Sequence, residues 1–231
     1  MWTKLQLGNT VGSQKDKIKI MIRLSLVQKQ MLYGIILGDG YLQKTGRKNA
    51  RLRLEHGENQ KEYLFWKVNQ FKKLFQGKPK YIERIHPKTR KRYGYWRYQS
   101  QSTPYLGKLR KIFYPQGKKR VPKDLNKYLS PRTLAVWYID DGYFCQRDKS
   151  SYLYLGKVTQ GEAEIVSQAI SDLFNLPNKI LDKKGKGYVI YFSPRTTRKL
   201  KKLVKRYIIP QFDYKLPSDP VTTDPAVSRE R

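Results

Sequence analysis

Apolar residues recur at helical spacing in two segments of this chain that are separated by about a hundred residues. In residues 60–75 (QKEYLFWKVNQFKKLF) they occupy positions 64, 65, 68, 71, 74 and 75. In residues 162–174 (EAEIVSQAISDLF) they occupy positions 165, 166, 169, 170, 173 and 174. A proline follows each segment, Pro79 and Pro177, and strand-like sequence follows each proline. The pattern predicts two amphipathic helices at matching places in an internal repeat.

Two further runs, LYGIILGDG at 32–40 and LAVWYIDDG at 134–142, are apolar at most positions until each reaches Asp-Gly. Helices of this kind are expected to be buried on most of their faces. Ser25 is a suitable N-cap for the first motif helix. Ser130-Pro131 predicts the start of the second, with a cap followed by a proline at the first helical position.

The two motif helices differ on the face where they are expected to meet. Gly34 and Gly38 are four residues apart and share one face of the first helix, where the lack of a Cβ lets another backbone come close. The matching positions of the second helix are Val136 and Asp140. We therefore predict close but asymmetric packing.

Each repeat is predicted to run helix, two strands, helix, two strands, helix, which places the chain in the α/β (α+β) class. The predicted strands of the first repeat are 41–43, 50–56, 80–86 and 92–100. Those of the second repeat are 144–146, 151–159, 179–182 and 187–192. The predicted domain division is an N-terminal extension at 1–24, repeats at 25–126 and 127–217, and a flexible polar tail at 218–231.

The chain carries a large excess of positive charge. Its 231 residues include 49 Lys and Arg against 18 Asp and Glu, for a formal net charge of +31. Such a charge repels itself unless a polyanion neutralises it, and duplex DNA offers a negative charge every ~1.7 Å of its axis. RNA or an anionic membrane surface would satisfy the same argument, so charge alone does not choose among them.

Cysteine content and hydropathy indicate which cellular compartments suit this chain. The single cysteine, Cys145, allows no internal disulfide and fits a reducing compartment. No apolar stretch reaches the roughly 18 residues of a membrane helix, and the N-terminus lacks the apolar run of a secretory signal. We expect an intracellular protein without a membrane partner, from a mitochondrion, a chloroplast or a prokaryotic cytoplasm. With His56 and His86 as its only histidines, the chain offers neither a zinc cluster nor a Cys-His nucleophile.

Asp39 and Asp141 are the candidate catalytic residues, because they recur 102 residues apart, each at the end of a motif helix. A carboxylate there faces the negative end of the helix dipole, which costs a few tenths to about 1 kcal/mol. If the helices pack side by side, both carboxylates and the last-turn carbonyls converge, and hard oxygen ligands of this kind suit Mg²⁺. Asp-Gly can also simply end a helix in a turn, but its repetition at matching places favours a functional site.

The strings LGDGY, SPRTLAVWYIDDG and YKLP resemble the LAGLIDADG homing endonucleases, in the form in which one chain carries both motifs. The resemblance covers residues 26–217. Gly38 and Asp140 stand at the seventh position of the motif, where the family has a small residue. Leu37 and Ile139 replace a sixth residue that is often acidic. The eighth position, the metal-binding acid, is Asp39 and Asp141.

The resemblance implies two pseudo-symmetric αββαββα repeats, with the motif helices as a central seam and two antiparallel sheets as a saddle over double-stranded DNA. It implies a monomeric, intron-encoded, site-specific endonuclease that hydrolyses one phosphodiester in each strand of a long recognition site. The implied cofactor is Mg²⁺, for which Mn²⁺ or Ca²⁺ can substitute in binding. Its predicted ligand residues are Asp39, Asp141, Gly38 and Asp140.

The family also places basic residues beside each active site. Lys215 matches one of them within YKLP, and its counterpart is either Lys119 or Arg120, of which we favour Lys119. An alternative on the same scaffold is an RNA-binding intron maturase without nuclease activity. A basic ribosome-associated protein is a further alternative, although it would not need the duplicated acids.

Strand alternation and basic hairpin tips predict the DNA-binding residues. Arg97 and Gln99 are candidates for reading guanine and adenine in the major groove, whereas the tips around Lys88 and Lys184 are expected to hold phosphate. The competing interpretation is an ordinary solvated strand face. The full predicted set is Arg51, Arg53, Lys88, Arg90, Arg92, Arg97, Gln99, Lys157, Lys183, Lys184 and Lys186.

Overall fold

The computed structural model describes residues 23–218. The predicted extension at 1–24 and the predicted tail at 218–231 lie outside the described residues, apart from residues 23, 24 and 218. No helix within 23–218 is long and apolar enough to cross a membrane.

The two halves have the same order of elements, αββαββα, as predicted. The first half contains α1 (Leu26–Leu37), β1 (Tyr41–Lys44), β2 (Ala50–Gly57), α2 (Lys61–Asn69), β3 (Lys80–Ile85), β4 (Arg92–Gln99) and α3 (Pro104–Phe113). The second contains α4 (Pro131–Asp141), β5 (Gly142–Cys145), β6 (Ser150–Gly156), α5 (Gln160–Phe174), β7 (Lys179–Asp182), β8 (Tyr188–Phe192) and α6 (Pro194–Val204). Short 3₁₀ turns, among them Pro210–Lys215, complete the described chain.

Each half forms one four-stranded antiparallel sheet. Sheet 1 has the strand order β1-β2-β4-β3, and sheet 2 has the order β5-β6-β8-β7. In β2, buried Leu52 and Leu54 alternate with partly exposed Arg51, Arg53 and Glu55, as the alternation predicted. The buried side chains belong to one hydrophobic core shared by both halves. We call the opposite face of each sheet, which carries Arg53 in sheet 1, its outer face.

The motif helices α1 and α4 pack against each other at the centre of the molecule. A Cβ added to Gly34 would lie 2.7 Å from both the Thr133 carbonyl oxygen and the Val136 Cβ, and one added to Gly38 would lie 2.7 Å from the Asp140 Cβ. Both glycines are therefore required for this approach. The predicted asymmetric pairing is confirmed.

The motif helices start as predicted but do not end alike. The side chains of Ser25 and Ser130 accept hydrogen bonds from the backbone N–H groups of Gln28 and Thr133, as N-caps should. Helix α1 ends at Leu37, two residues before Asp39, whereas α4 continues through Asp141 directly into β5. The prediction that both helices stop at Asp-Gly is therefore accurate only for α4.

The helix predicted at 60–75 is shorter than expected. Helix α2 ends at Asn69, and the chain then continues in turns whose N–H groups bond three residues back, from Phe71 to Val68 and from Leu74 to Phe71. Because these turns keep Phe71, Leu74 and Phe75 buried, the apolar pattern identified the buried positions correctly but overestimated the length of the helix.

Candidate active site and nucleic-acid interface

The two motif acids lie beside each other at the ends of the central helices. Asp39 follows α1, and its side chain is 46% exposed. Asp141 is the last residue of α4, is partly buried, and accepts a hydrogen bond from the Trp137 indole Nε1 at 3.1 Å. The structure thus brings together the two residues that the repeat singled out.

The electrostatics of the two acids show that they act on each other. Burial raises the pKa of Asp141 to about 7, and the carboxylates of Asp39 and Asp140 add to this effect. Burial and the Asp140 carboxylate likewise raise the pKa of Asp39. Neighbouring carboxylates repel each other when they are ionised. A bound cation would relieve this repulsion and favour the ionised forms.

One lysine lies at the end of each motif helix. The Lys119 ammonium donates a hydrogen bond to the Gly38 carbonyl oxygen. The Lys215 ammonium donates to the Ile139 carbonyl oxygen at 2.6 Å and to that of Asp140 at 3.4 Å. Burial, together with the Lys67 ammonium, lowers the pKa of both lysines, although the three nearby carboxylates act to raise it.

The structure distinguishes between the two candidates for the first lysine position. The carboxylates of Asp141 and Asp39 lie close enough to Lys119 to oppose the lowering of its pKa by burial. Arg120 lies elsewhere, with its guanidinium 3.2 Å from the Glu162 carboxylate at the start of α5. Only Lys119 has a placement matching that of Lys215.

Asp140 plays a different part from the two motif acids. Its carboxylate is fully buried and lies 2.7 Å from the equally buried Lys67 ammonium. The Tyr63 hydroxyl donates to the same carboxylate at 2.6 Å, and the Asp39 backbone N–H donates to it at 3.1 Å. Since this carboxylate is fully buried and accepts three hydrogen bonds, the main-chain carbonyl of Asp140 is the better placed metal ligand.

His56 completes this buried cluster. Burial and the Lys67 ammonium lower the pKa of His56 to about 4, so the ring is neutral at pH 7. Its Nε2 accepts from Lys67 at 3.1 Å, which leaves the proton on Nδ1 to be donated to the Gln60 side-chain oxygen at 3.2 Å. The Asp39 carboxylate lies 3.9 Å from the same Nδ1.

The donor set at the seam suits a hard divalent cation. The carboxylates of Asp39 and Asp141, with the carbonyl oxygens of Gly38 and Asp140, are oxygen ligands of the kind Mg²⁺ prefers. A carbonyl oxygen has two lone pairs, so donation from Lys119 or Lys215 does not exhaust it. Within 23–218 no three His, Cys, Asp or Glu side chains form a metal cluster. Remaining ligands would therefore be water or phosphate oxygens.

The predicted base-reading residues share the outer face of sheet 1. Strand pairing places Arg53 opposite Gln99, and Glu55 opposite Arg97. The Arg97 guanidinium is 2.6 Å from the Glu55 carboxylate, so part of its hydrogen-bonding capacity is already used. The Arg51 guanidinium donates to the Gln43 side-chain oxygen at 3.1 Å.

The predicted phosphate-binding residues lie at the ends of strands. One group surrounds the hairpin between β3 and β4, and the other surrounds the hairpin between β7 and β8, while Lys157 follows β6. All are exposed except Lys183, whose ammonium lies 5.7 Å from the centroid of the Tyr152 ring. The residues concerned are Lys88, Arg90, Arg92, Lys157, Lys183, Lys184 and Lys186.

Two sets of candidate residues were missed in the sequence. Lys67 lies within the apolar stripe of α2, and a lone lysine at such a position signals a buried acidic partner. Tyr63, His56 and Trp137 carry no comparable signal. On sheet 1, Gln43, Lys80 and Arg84 belong to the outer face, and the alternation of their own strands could have identified them.

The comparison with protein families identifies the class. The model of the LAGLIDADG DNA endonuclease family matches residues 29–200, and the chain belongs to that family. The chain is similar to a protein named probable intron-encoded endonuclease 1 of Wickerhamomyces canadensis, with 31% identity over 92% of this chain and 93% of that protein.

A solved structure and a second relative show how much of this chain is matched. A solved structure described as the homing endonuclease I-WcaI bound to its DNA recognition sequence has a TM-score of 0.81 and 31% identity, covering 94% of this chain and 97% of that one. The RecA protein of Mycolicibacterium flavescens is 30% identical over 93% of this chain but only 52% of its own length. This chain therefore spans about half the length of that relative.

Proposed function

We propose that this protein is a site-specific homing endonuclease that hydrolyses one phosphodiester in each strand of a long double-stranded DNA site. The observation that carries the proposal is the pair of carboxylates, Asp39 and Asp141, at the seam between two repeats, each accompanied by a lysine. Two acids flanked by two lysines suit a reaction performed once on each strand. The relative named probable intron-encoded endonuclease 1 supports an intron-encoded enzyme, and the presence of both repeats in one chain supports a monomer.

In this mechanism Asp39, Asp141 and the adjoining carbonyls would hold a divalent metal at the seam, with Mg²⁺ as the proposed ion and Mn²⁺ or Ca²⁺ as substitutes in binding. When bound, such an ion supplies Lewis-acid stabilisation and a more acidic water. The ammonium groups of Lys119 and Lys215 orient solvent beside the scissile phosphates and offset the charge that develops there. The hydrogen bonds of the lysines to last-turn carbonyls hold them in place.

The buried cluster gives Asp39 its orientation. The Asp140 carboxylate accepts the Asp39 backbone N–H, and Lys67 and Tyr63 hold that carboxylate in turn. In the second repeat, the Trp137 indole holds Asp141 directly. The two acids are therefore positioned by different means, because α1 ends before Asp39 whereas α4 includes Asp141.

The test is to replace each acid with its neutral isostere. The substrate is a DNA target selected by cleavage of a randomised library with the unaltered protein. Asp39→Asn or Asp141→Asn should abolish double-strand cleavage of this target in Mg²⁺, while binding to the same DNA largely persists. Asp172→Asn, on the exposed side of α5, is the matched control and should cleave normally. Full cleavage by either seam variant would disprove the two-carboxylate mechanism, and specific RNA binding without any DNA cleavage would favour a maturase instead.

A further inference from the structure

The outer faces of the two sheets can be compared position by position, because the repeats align at Gly40 and Gly142. Strand pairing sets Tyr41 opposite Arg53 in sheet 1, and Tyr143 opposite Tyr152 in sheet 2. Each following row of the two outer faces therefore has an equivalent in the other half. These outer faces are the surfaces that the proposed function assigns to DNA.

In the first row, nearest the motif, side-chain chemistry changes from polar to aromatic. Sheet 1 carries Tyr41, Arg53 and Gln99, whereas sheet 2 carries Tyr143, Tyr152 and Tyr191. In sheet 1 the Arg53 guanidinium lies 4.7 Å from the Tyr41 ring centroid. In sheet 2 the three phenol rings follow one another, with centroid separations of 6.2 Å and 5.4 Å.

The second row shows the same change. Sheet 1 carries Glu55, Arg97 and Lys80, all charged, and sheet 2 carries Tyr154, Val189 and Leu181. In the remaining pair, Gln43 and Arg51 correspond to Cys145 and Ser150.

The sheet 2 surface is accessible rather than buried in the fold. Tyr143 is 51% exposed and Tyr154 is 44% exposed. Positive charge on this side comes from Lys179 on the edge strand β7 and from the hairpin tip, where the Lys183 ammonium lies 5.7 Å from the Tyr152 ring centroid. Val189, at the centre of the second row, is only 1% exposed, so the accessible part of this outer face offers mainly tyrosine rings.

Base edges in the major groove offer one apolar feature, the thymine C5-methyl group, alongside their donors and acceptors. Tyrosine hydroxyls can donate or accept, so they discriminate weakly between bases. Arginine and glutamine instead form directional pairs with guanine and adenine. On this chemistry we infer that sheet 2 reads its half-site mainly by contact with thymine methyl groups, through Tyr152 and Tyr154, whereas sheet 1 reads by hydrogen bonds.

The experiment replaces thymine with deoxyuridine, which removes only the methyl group. The target is first selected by cleavage of a randomised library with the full chain. A Cys145→Ser, Lys184→Cys protein carrying a tethered DNA-cleaving reagent then marks the half-site beneath the second repeat. Kd is measured for DNA with deoxyuridine throughout one half or the other.

Deoxyuridine in the half-site beneath sheet 2 should weaken binding about fourfold per contacted methyl, and in the other half it should leave Kd nearly unchanged. Tyr152→Ala should remove the penalty at its contacted base, whereas Arg53→Ala, at the equivalent position of sheet 1, should retain it. Equal penalties in both halves, or none, would overturn the inference. Failure to cleave any DNA would instead count against the proposed nuclease itself.

Discussion

At the scale of single residues, the site depends on which side chains reach the ends of the motif helices. Lys119 lies in a loop and Lys215 ends the 3₁₀ turn Pro210–Lys215, and both donate to carbonyl oxygens at these helix ends. These carbonyls form the negative end of the helix dipole, where cations are stabilised and carboxylates are not. The lysines therefore stabilise the two helix ends at which the proposed function requires carboxylates.

Lys119→Met should lower the rate of DNA cleavage by about 10²- to 10³-fold, the usual effect of removing one group that stabilises developing charge. The side chain is similar in volume, so the free energy of unfolding and the DNA affinity should change little. Arg120→Met is the matched control, because Arg120 pairs with Glu162. Rates under single-turnover conditions measure the effect, and a slower Arg120→Met with a normal Lys119→Met would reverse the assignment.

At the scale of elements, the seam between α1 and α4 is asymmetric. The glycine face of α1 leaves room for Val136 and Asp140 of α4. Because Asp140 occupies this space, its carboxylate is buried, and Lys67 of helix α2 neutralises it. One ion pair thus joins α2 of the first half to α4 of the second, and the same carboxylate accepts a hydrogen bond from the backbone N–H of Asp39, which follows α1.

Lys67→Met should destabilise the protein by about 3–5 kcal/mol, because it leaves Asp140 charged and unpaired in the core. Adding Asp140→Asn removes that charge and should recover most of the loss. Denaturant unfolding of the two single variants and the double variant gives the coupling free energy. Lys72→Met, at an exposed position, is the control, and purely additive losses would contradict a direct interaction.

At the scale of the whole molecule, basic residues lie on two different parts of the surface, the hairpin tips and helix α6. The chain has a net charge of +31, and the hairpin tips of both sheets place cations around the outer faces. Helix α6 is also basic, but it packs on the core side of sheet 2. The geometry therefore predicts that cations at the tips contribute more to DNA binding than equal numbers on α6.

Replacing Lys183, Lys184 and Lys186 with Ala should reduce the slope of log K against log salt concentration by roughly 2 to 3, since each lost phosphate contact removes about 0.9. The matched triple variant on α6 replaces Arg195, Arg198 and Lys199 and should change the slope far less. Binding isotherms at several salt concentrations measure both slopes. A larger change from the α6 variant would place DNA on the other side of the sheet.

The sequence by itself determined the order of elements, the repeat and the pair of acids. Caps, strand alternation and apolar spacing act over a few residues, so Ser25, Ser130 and the alternation of Arg51 with Leu52 can be interpreted without a partner. The choice between Lys119 and Arg120 could not be made in this way. Adjacent side chains leave the backbone in different directions, and only the path of the loop decides which one meets the acids.

The tertiary structure alone decided what surrounds those acids. Lys67 and Asp140 are 73 residues apart, and no local pattern indicates that the Lys67 side chain of α2 reaches the end of α4. Likewise, alternation defines two faces for every strand, but only the pairing of strands shows that Arg53 and Tyr152 are equivalent. Contacts between distant segments depend on how whole elements pack, and that information is not contained in the neighbourhood of either residue.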